Sequence, residues 1–432
     1  MKKITGRILL ASTASAMAFG AAGAAHAQAF YLQEQSVRAQ GRAFSGEAAD
    51  TGVDSLWWNP AAIGGLEGGQ ASVHASVIIP KGKVVDDGTL IVRPGQAPAS
   101  VGGNPVAKNP INNGVLPSGA IAYGFGKVAF GLTVTSPYSF TTNYDADSWA
   151  RYSADKTKLR TIDIQPSVAF QPIEGLYLGA AVNVEHVDAT LGNYLPNLSP
   201  LLADGHQQLK GSGWDVGWSV GAQYHNGPAS IGVAYKSAIK HKLDGSLTID
   251  GLLGPLAAQN MTLNTSAEFT TPWQAIMSAR VKATKQLTVN AQVVAFGWSK
   301  FDTIDLGAPV NTSIPENYKD GFSYAVGLDY DVSPKWTVRG GVQYGETPTS
   351  SGDRDARVPD SNRWNFSAGT TYNMSSKIAI DAAASYISFK DAPINRLTAA
   401  YAGTVVQTPV LTNGSLQDAY AMVFSLGARV AF

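Results

Sequence analysis

The feature that most constrains the fold of this chain is an alternation of apolar and polar side chains with a period of two residues. In the final segment AYAMVFSLGARVAF, Met422, Phe424 and Leu426 share one face, whereas Ser425 and Gly427 lie on the other. Successive side chains of a strand point to opposite faces, so this period predicts β-strands rather than helices. The same pattern is found in FSYAVGLDYD, KWTVRGGVQYGE and RWNFSAGTTYNM.

The lengths of the connections between the predicted strands indicate how the strands are arranged. Short turns such as FGK, VSPK and MSSK alternate with long polar or Gly/Pro-rich stretches, and we count fourteen strands. An even number of strands, with short turns at one rim and long loops at the other, is typical of an outer-membrane β-barrel. The predicted strands begin near residues 70, 118, 127, 158, 175, 209, 228, 265, 286, 320, 335, 362, 377 and 419.

The two faces of these strands differ in charge, which distinguishes a membrane barrel from a soluble sandwich. One face carries Val, Leu, Ile, Phe and Ala with almost no charge, whereas the opposite face carries charged side chains. Examples of the second set are Asp163, Glu185, Arg339, Asp381 and Arg429. An apolar exterior with a polar interior requires lipid outside and a closed ladder of backbone hydrogen bonds, as in a barrel.

The N-terminal part of the chain lacks this alternation and divides into two predicted segments. Residues 1–27 combine the basic start MKKITGR, an Ala-rich apolar stretch and the small-residue sequence AHA, which predicts a signal peptide cleaved near Ala27. Residues 28–68 are too few to form an independent core. We therefore predict an all-β fold, a 14-stranded antiparallel transmembrane β-barrel over residues 69–432, with residues 28–68 as a plug (hatch) in its lumen.

Composition argues against several classes of function. The 32 basic and 32 acidic residues give no net charge, so we expect no nucleic-acid partner. The chain has no cysteine, and its histidines lack the spacing of metal ligands. We predict no catalytic residues, no metal and no cofactor. We interpret the run DRDARVPDSNR, residues 353–363, as an ion-pair network on a solvated loop rather than a calcium site.

The segment GRAFSGEAADTGVDSLWWNPAAI resembles the hatch of the FadL-type outer-membrane transporters of long-chain fatty acids and other hydrophobic compounds. Its most specific motif is Asn59-Pro60-Ala61, and GLTVTSPYSF, VPDSNRWNFSAGTTYNMSSK and the terminal strand are also similar. The resemblance implies a hatch that plugs the barrel. It also implies a kink in the third strand, here about residues 127–140, through which substrate leaves sideways into the membrane.

Two long loops, at residues 193–206 and 250–260, carry clusters of leucine that suggest a surface for capturing apolar molecules. Packing of the two loops on each other would also explain these clusters. The predicted capture residues are Leu195, Leu198, Leu201, Leu202, Leu252, Leu253 and Leu256. The resemblance implies a second site, an inner pocket, to which we assign Ser136, Trp57 and Trp58.

The substrate and partners follow from the same resemblance. The family's fatty-acid carriers contact the carboxylate with basic side chains, but residues 187–209 contain no Lys or Arg. Long-chain fatty acids and aromatic or aliphatic hydrocarbons therefore remain alternative substrates. We also predict contact with outer-membrane lipid and lipopolysaccharide, delivery to the barrel-assembly machinery through Phe432, and a monomeric state. A barrel protease or phospholipase, a general porin and a soluble secreted sandwich remain alternative interpretations.

Overall fold

A computed structural model describes residues 29–432, so the predicted signal peptide, residues 1–27, lies outside the described residues. The strands, numbered in chain order, are β1 (Gly68–Asp86), β2 (Leu90–Ile91), β3 (Ala99–Ser100), β4 (Val106–Lys108), β5 (Gly114–Phe125), β6 (Val128–Thr135), β7 (Ser139–Asn143), β8 (Lys156–Ile173), β9 (Leu176–Leu195), β10 (Gly205–Asn226), β11 (Ala229–Lys236), β12 (Ile239–Asp250), β13 (Met261–Thr271), β14 (Trp273–Lys282), β15 (Leu287–Gly297), β16 (Thr303–Leu306), β17 (Thr312–Pro315), β18 (Gly321–Ser333), β19 (Trp336–Gly345), β20 (Arg363–Asn373), β21 (Ile378–Phe389), β22 (Ala392–Ala400) and β23 (Thr408–Ala431). The short helices are α1 (Val37–Gly41) and the 3-10 turns Glu47–Ala49, Val53–Ser55, Pro60–Ile63, Gly254–Gln259 and Trp298–Lys300.

Fourteen antiparallel wall strands close into a barrel, which confirms the predicted fold class. Three of these wall strands consist of two segments each, namely β6 with β7, β11 with β12, and β13 with β14. The remaining wall strands are β1, β5, β8, β9, β10, β15, β18, β19, β20, β21 and β23. The barrel closes where β1 pairs with β23, for example Ser76 with Ser425. Closure leaves no free sheet edge in the lipid.

The two faces of the wall are as the alternation predicts. Along β23, Phe424 and Leu426 are 50% and 66% exposed, whereas Ser425 between them is 3% exposed. The charged residues assigned to the inner face include Asp163, which is buried, and Asp381, which is fully buried. Apolar side chains therefore face outward, and the polar side chains cover the inside of the wall.

The observed strand starts agree closely with the sequence, except for the last strand. The first thirteen predicted starts lie within four residues of an observed start, but β23 begins at Thr408 instead of near 419. Its additional residues pair with β22, a strand that was not predicted. The residues from Thr408 to Asp418 are largely polar, because this part of the strand lies in the extension above the apolar band.

Residues 29–66 precede the barrel and are almost entirely buried. They contact wall strands from many positions around the ring, including β10, β14, β20 and β21. Within residues 29–432, no helix is long and apolar enough to span a membrane. The 29–66 segment, called the N-terminal segment below, is held by the wall rather than by a core of its own.

Candidate functional site

The Asn59-Pro60-Ala61 motif fixes the N-terminal segment against the wall. Asn59 precedes a 3-10 turn whose first residue is Pro60, and the Asn59 amide oxygen accepts from the Ala61 N–H at 2.9 Å. Its amide nitrogen donates to the Ala48 carbonyl at 2.7 Å, and to the carbonyls of Ala222 and Val233 in the wall, both at 3.3 Å. An asparagine can both accept from the Ala61 N–H and donate to these carbonyls, because its side-chain amide carries an acceptor oxygen and an NH₂ group with two donors.

Glycines in the wall allow this close approach. A Cβ atom at Gly221 would overlap the Asn59 side chain, and one at Gly232 would overlap the Ala48 carbonyl. Gly341 in β19 lies in the same way against the backbone of Arg42. Any side chain at these three positions would push the N-terminal segment away from the wall.

A network of buried ion pairs joins the N-terminal segment to the wall. Arg42, whose side chain is fully buried, pairs with Glu47 at 2.7 Å, with Asp50 at 2.6 Å and with Asp329 of β18 at 3.4 Å. A second set of pairs links Asp54 of the segment to Arg429 of β23 at 3.1 Å. Buried charges are costly unless each is paired, so these contacts constrain where the segment can sit.

The third wall strand is interrupted at Ser136, Pro137 and Tyr138, between β6 and β7. β6 pairs with β5, but the pairing of β5 with the third strand ends at Gly119 and Val134. Beyond this point the N-terminal segment pairs with the third wall strand in place of β5, since the Leu32 N–H donates to the Pro137 carbonyl at 2.7 Å. The structure therefore places the irregularity expected near 127–140 at these three residues.

An apolar cavity lies on the inner side of the wall, above this interruption. It is lined by Leu159, Leu191, Leu209, Leu243, Phe269 and Ile304, and by Phe30 of the N-terminal segment. Phe30 itself packs against Trp298 and Phe301, with ring centroids 5.0 and 5.2 Å apart. The cavity volume is about 60 Å³, well below that of a typical small-molecule site, so a ligand requires the lining side chains to move.

One end of this cavity is polar and carries charges of both signs. Glu316 and Arg357 line it, and Glu316 pairs with Arg396 at 3.3 Å. Burial raises the pKa of the Glu316 carboxyl to about 7, although Arg396 opposes the shift. The Arg357 guanidinium donates to the Thr157 hydroxyl at 3.3 Å. The cavity therefore combines a long apolar wall with a titratable end.

The prediction that residues 353–363 form a solvated loop is wrong. Arg354, Asp360 and Arg363 are each at most 5% exposed, and the loop folds down over the apolar cavity. Arg363 does pair with Asp360, at 3.8 Å. Charge density alone suggested exposure. The loop is buried because backbone carbonyls, such as that of Thr349, satisfy its arginines.

The predicted capture leucines separate into buried and exposed groups. Leu195, Leu252 and Leu256 form a buried cluster, against which Leu198 packs. Leu201 is 94% exposed, while Leu202 and Leu253 are 40% and 44% exposed. A third loop joins this cluster through Tyr401, whose hydroxyl donates to the Pro196 carbonyl at 3.0 Å. The loops pack together and still present an apolar surface.

The residues assigned to an inner pocket occupy different positions. Trp57 lines a second cavity with Tyr138, Asp163 and Lys236, and the Lys236 ammonium lies 3.8 Å from the centroid of the Trp57 ring. Trp58 packs edge to face against Trp57 and is not among the residues that line this cavity. Ser136 likewise lies outside the lining, and its hydroxyl donates to the Thr161 carbonyl at 2.6 Å.

Sequence reasoning missed Phe30, Glu316 and Arg357. Phe30 lies just beyond the predicted cleavage site in a stretch without periodicity, and the other two lie in loops. Nothing local indicates that these side chains meet across the barrel. Among residues 29–432, no group of three or more His, Asp or Glu side chains is placed to hold a metal ion.

Comparison with known proteins identifies the family. Residues 18–432 match the family described as "Outer membrane protein transport protein (OMPP1/FadL/TodX)". The chain belongs to this family. Its members are outer-membrane transporters and not enzymes, so the chain is an outer-membrane transport protein, and the enzyme alternative is not favoured.

Individual relatives agree with the family assignment. The long-chain fatty acid transport protein of Escherichia coli O6:H1 is 27% identical over 398 residues, covering 83% of this chain and 86% of the relative. The Salmonella typhi protein of the same name is 26% identical, covering 85% and 88%.

Solved structures show the same fold. A FadL homologue of Pseudomonas aeruginosa superposes with a TM-score of 0.82 at 24% identity, covering 94% of this chain and 100% of the homologue. The toluene transporter TbuX of Ralstonia pickettii gives 0.66 at 18% identity, covering 92% and 98%.

Proposed function

We propose that this transporter carries hydrophobic molecules, either long-chain fatty acids or aromatic and aliphatic hydrocarbons, across the outer leaflet. The apolar cavity lined by Leu209, Leu243 and Phe269 is the observation that carries the proposal. Moving an apolar molecule from water into such a lining is favourable by about 25 cal/mol per Å² of apolar surface that becomes buried. Relatives named for fatty acids and for toluene both support this substrate class.

The proposed route begins at the loops. Leu201, Leu202 and Leu253 capture the molecule at the outer rim, because exposed apolar clusters of this kind bind apolar partners. The molecule then enters the apolar cavity, where Phe30 must move aside to give it room. It leaves sideways through the gap beside Ser136, once residues of the N-terminal segment withdraw from the third wall strand.

Residues 28–68 serve as the plug in this proposal. Their burial and their ion pairs to the wall support that role, as does the contact of Asn59 with Ala222. A plugged barrel conducts ions poorly. Deleting residues 28–66 is expected to raise the conductance of single barrels in planar bilayers, and an unchanged conductance would refute the plug.

The remaining parts of the proposal concern delivery and surroundings. We propose cleavage near Ala27, recognition of Phe432 by the barrel-assembly machinery, contact with lipopolysaccharide and a monomeric barrel. In support, the Phe432 side chain is 56% exposed, and its backbone N–H donates to the Gly69 carbonyl at 2.9 Å. The terminal aromatic ring is therefore accessible at the end of the last wall strand.

The central test fills the apolar cavity. Ala267→Phe places a ring in the cavity, and Ala279→Phe places the same ring on the outward face of β14 as a control. We expect the first variant to slow uptake of hexadecane or hexadecanoate by roughly tenfold, since overfilling a packed site costs on the order of 1–3 kcal/mol. Equal uptake by both variants would contradict transport through this cavity.

A further inference from the structure

The seam between β10 and the seventh wall strand, β11 with β12, contains an unusual interruption. β10 pairs with β11 as far as Ser219 and Lys236, and pairing with β12 resumes only at Ser212 and Asp244. Across the interruption the register shifts by one residue. Gly213–Trp218 thus faces residues 237–243 without ladder pairs, and we call this stretch the open seam.

The open seam lies at the upper border of the lipid-facing band, because Lys240 and Lys242 are exposed on its outer face. From Tyr224, near the turn that follows β10, the strand advances about 26 Å to Val216, or about 20 Å along the barrel axis at a tilt of about 40°. Val216 is 66% exposed on the outward face, between Trp214 and Trp218. Irregular backbone is tolerated at this depth only where protein covers it or where it lines a cavity.

Side chains replace part of the missing ladder. The Asp215 carboxylate accepts from the Lys242 N–H at 3.1 Å, and the Ser237 hydroxyl accepts from the Trp218 N–H at 2.9 Å. The Ser237 N–H donates to the Trp218 carbonyl, also at 2.9 Å. Separating the strands here breaks fewer backbone bonds than at any regularly paired stretch of the same length.

The inner side of the open seam is covered by side chains and by one backbone carbonyl. Gly213 and Gly217 present no side chains, and the space beside Gly217 is filled by Ile239. A Cβ atom at Gly213 would overlap the Lys242 carbonyl, and the nearest atom of Leu243 lies 3.4 Å from the same position. Rotating Ile239 and Leu243 therefore removes the aliphatic part of the inner cover, while the Lys242 carbonyl stays beside Gly213.

Both cavities reach the wall at this seam. Gly211 and Leu243, at its upper end, line the apolar cavity, whereas Ser237 and Ile239, at its lower end, line the second cavity. By contrast, the gap at the third wall strand is occupied by ordered backbone of the N-terminal segment, with Ser139 donating to the Phe30 carbonyl at 3.2 Å.

We propose that the open seam is a second lateral exit, used by neutral hydrocarbons to pass from the lumen into the outer leaflet. The proposal rests on the hydrophobic transport proposed above. Neutral molecules are favoured because the partly exposed Asp215 carboxylate and the buried Glu185 carboxyl flank His241 inside the seam, each at 3.4 Å, and the Asp215 carboxylate repels an anionic headgroup. Carboxylate substrates leave by the gap at Ser136.

The test crosslinks the two strands across the open seam through introduced cysteines. These are the only thiols in the protein, because the chain has no cysteine of its own. Val216→Cys with Lys240→Cys places two thiols at exposed positions across the open seam, where extending the β10–β12 register beyond Ser212 and Asp244 would set them opposite each other. A disulfide or, where oxidation is incomplete, a short bismaleimide joins them. Val338→Cys with Thr370→Cys joins two regularly paired strands as the matched control.

We expect the locked seam to slow hexadecane uptake at least about fivefold, with hexadecanoate uptake changed less than about twofold. Reducing the disulfide should restore the rate. The proposal is overturned if hexadecane uptake is unaffected, or if both probes slow equally. The control crosslink should change neither rate.

A second measurement separates failure of the seam from failure of the proposed transport. Spin labels at the same two cysteines report the strand separation without any uptake assay. Hexadecane should produce a second, longer distance, and a single unchanged distance overturns the exit. If no protein-dependent uptake of either probe is detected, the transport proposal fails, whereas the distance measurement still decides whether the seam opens.

Discussion

The side-chain amide of Gln35 forms two hydrogen bonds with the backbone of Ser136. Its nitrogen donates to the Ser136 carbonyl at 3.0 Å, and its oxygen accepts from the Ser136 N–H at 3.3 Å. A side chain thus supplies the pairing that a neighbouring strand would otherwise provide. This contact joins the N-terminal segment to the interruption in the third wall strand.

Replacing Gln35 by Glu tests this contact. Glutamate lacks the donor, so a carboxylate oxygen would face the carbonyls of Ser136 and Leu32 at a cost of about 1–3 kcal/mol. We expect faster hydrogen exchange at the Leu32 N–H, by roughly tenfold or more. Gln96→Glu removes a similar amide-to-carbonyl bond on the surface and is the control. Identical exchange in the two variants would show that Gln35 does not hold the segment.

Glu316 should make binding of anionic ligands depend on pH. Its pKa is raised to about 7, so the carboxyl is neutral below that pH and anionic above it. Affinity for hexadecanesulfonate, which stays anionic throughout, should fall by up to about tenfold, or about 1.4 kcal/mol, between pH 6 and pH 8. Glu316→Gln should give a flat profile. Hexadecane serves as the neutral control, and an equal pH dependence for both ligands would contradict a charge effect.

Arg42 should be essential for the seating of the N-terminal segment. Arg42→Ala leaves the buried Glu47 without its arginine partner, which costs about 3–5 kcal/mol, whereas Asp50 and Asp329 still pair with Arg280. We expect a lower temperature for the mobility shift that accompanies barrel unfolding on gels, together with more frequent channel openings. Lys83→Ala breaks an exposed pair with Asp418 and should change neither property.

The exposed loop leucines should determine the capture step. Leu201→Asp with Leu202→Asp should reduce the uptake rate at low substrate concentration several-fold, because each buried CH₂ contributes about 0.8 kcal/mol. The folded barrel should remain intact, since these side chains are exposed. Ser199→Asp adds a charge in the same loop without removing apolar surface. Unchanged uptake in the double variant would exclude capture at these positions.

The sequence identified the architecture because a barrel wall repeats one local rule. Each strand alternates between lipid and lumen, so Phe424 and Ser425 reveal their environments without knowledge of the fold. The Asn59-Pro60-Ala61 motif was recognisable for a similar reason, since its capping geometry is local. The family assignment agrees with both.

The candidate site depended on contacts that no local pattern encodes. Glu316 and Arg357 reach the cavity from different loops, and Phe30 reaches it from the other end of the chain. The arginines of residues 353–363 were expected to be solvated, and their burial depends on backbone carbonyls of nearby residues such as Thr349 and of more distant ones such as Pro393. Contacts between residues that are hundreds of positions apart produce no periodic pattern in the sequence.

The sequence by itself determined the number of wall strands, their faces and the family, because alternation and short turns are properties of neighbouring residues. Only the tertiary structure decided where the wall is interrupted and which side chains close the interruptions. The breaks at Ser136 and along Gly213–Trp218 arise from a one-residue change of register between strands. Register is set by pairing across the sheet, so it appears only once the barrel has closed.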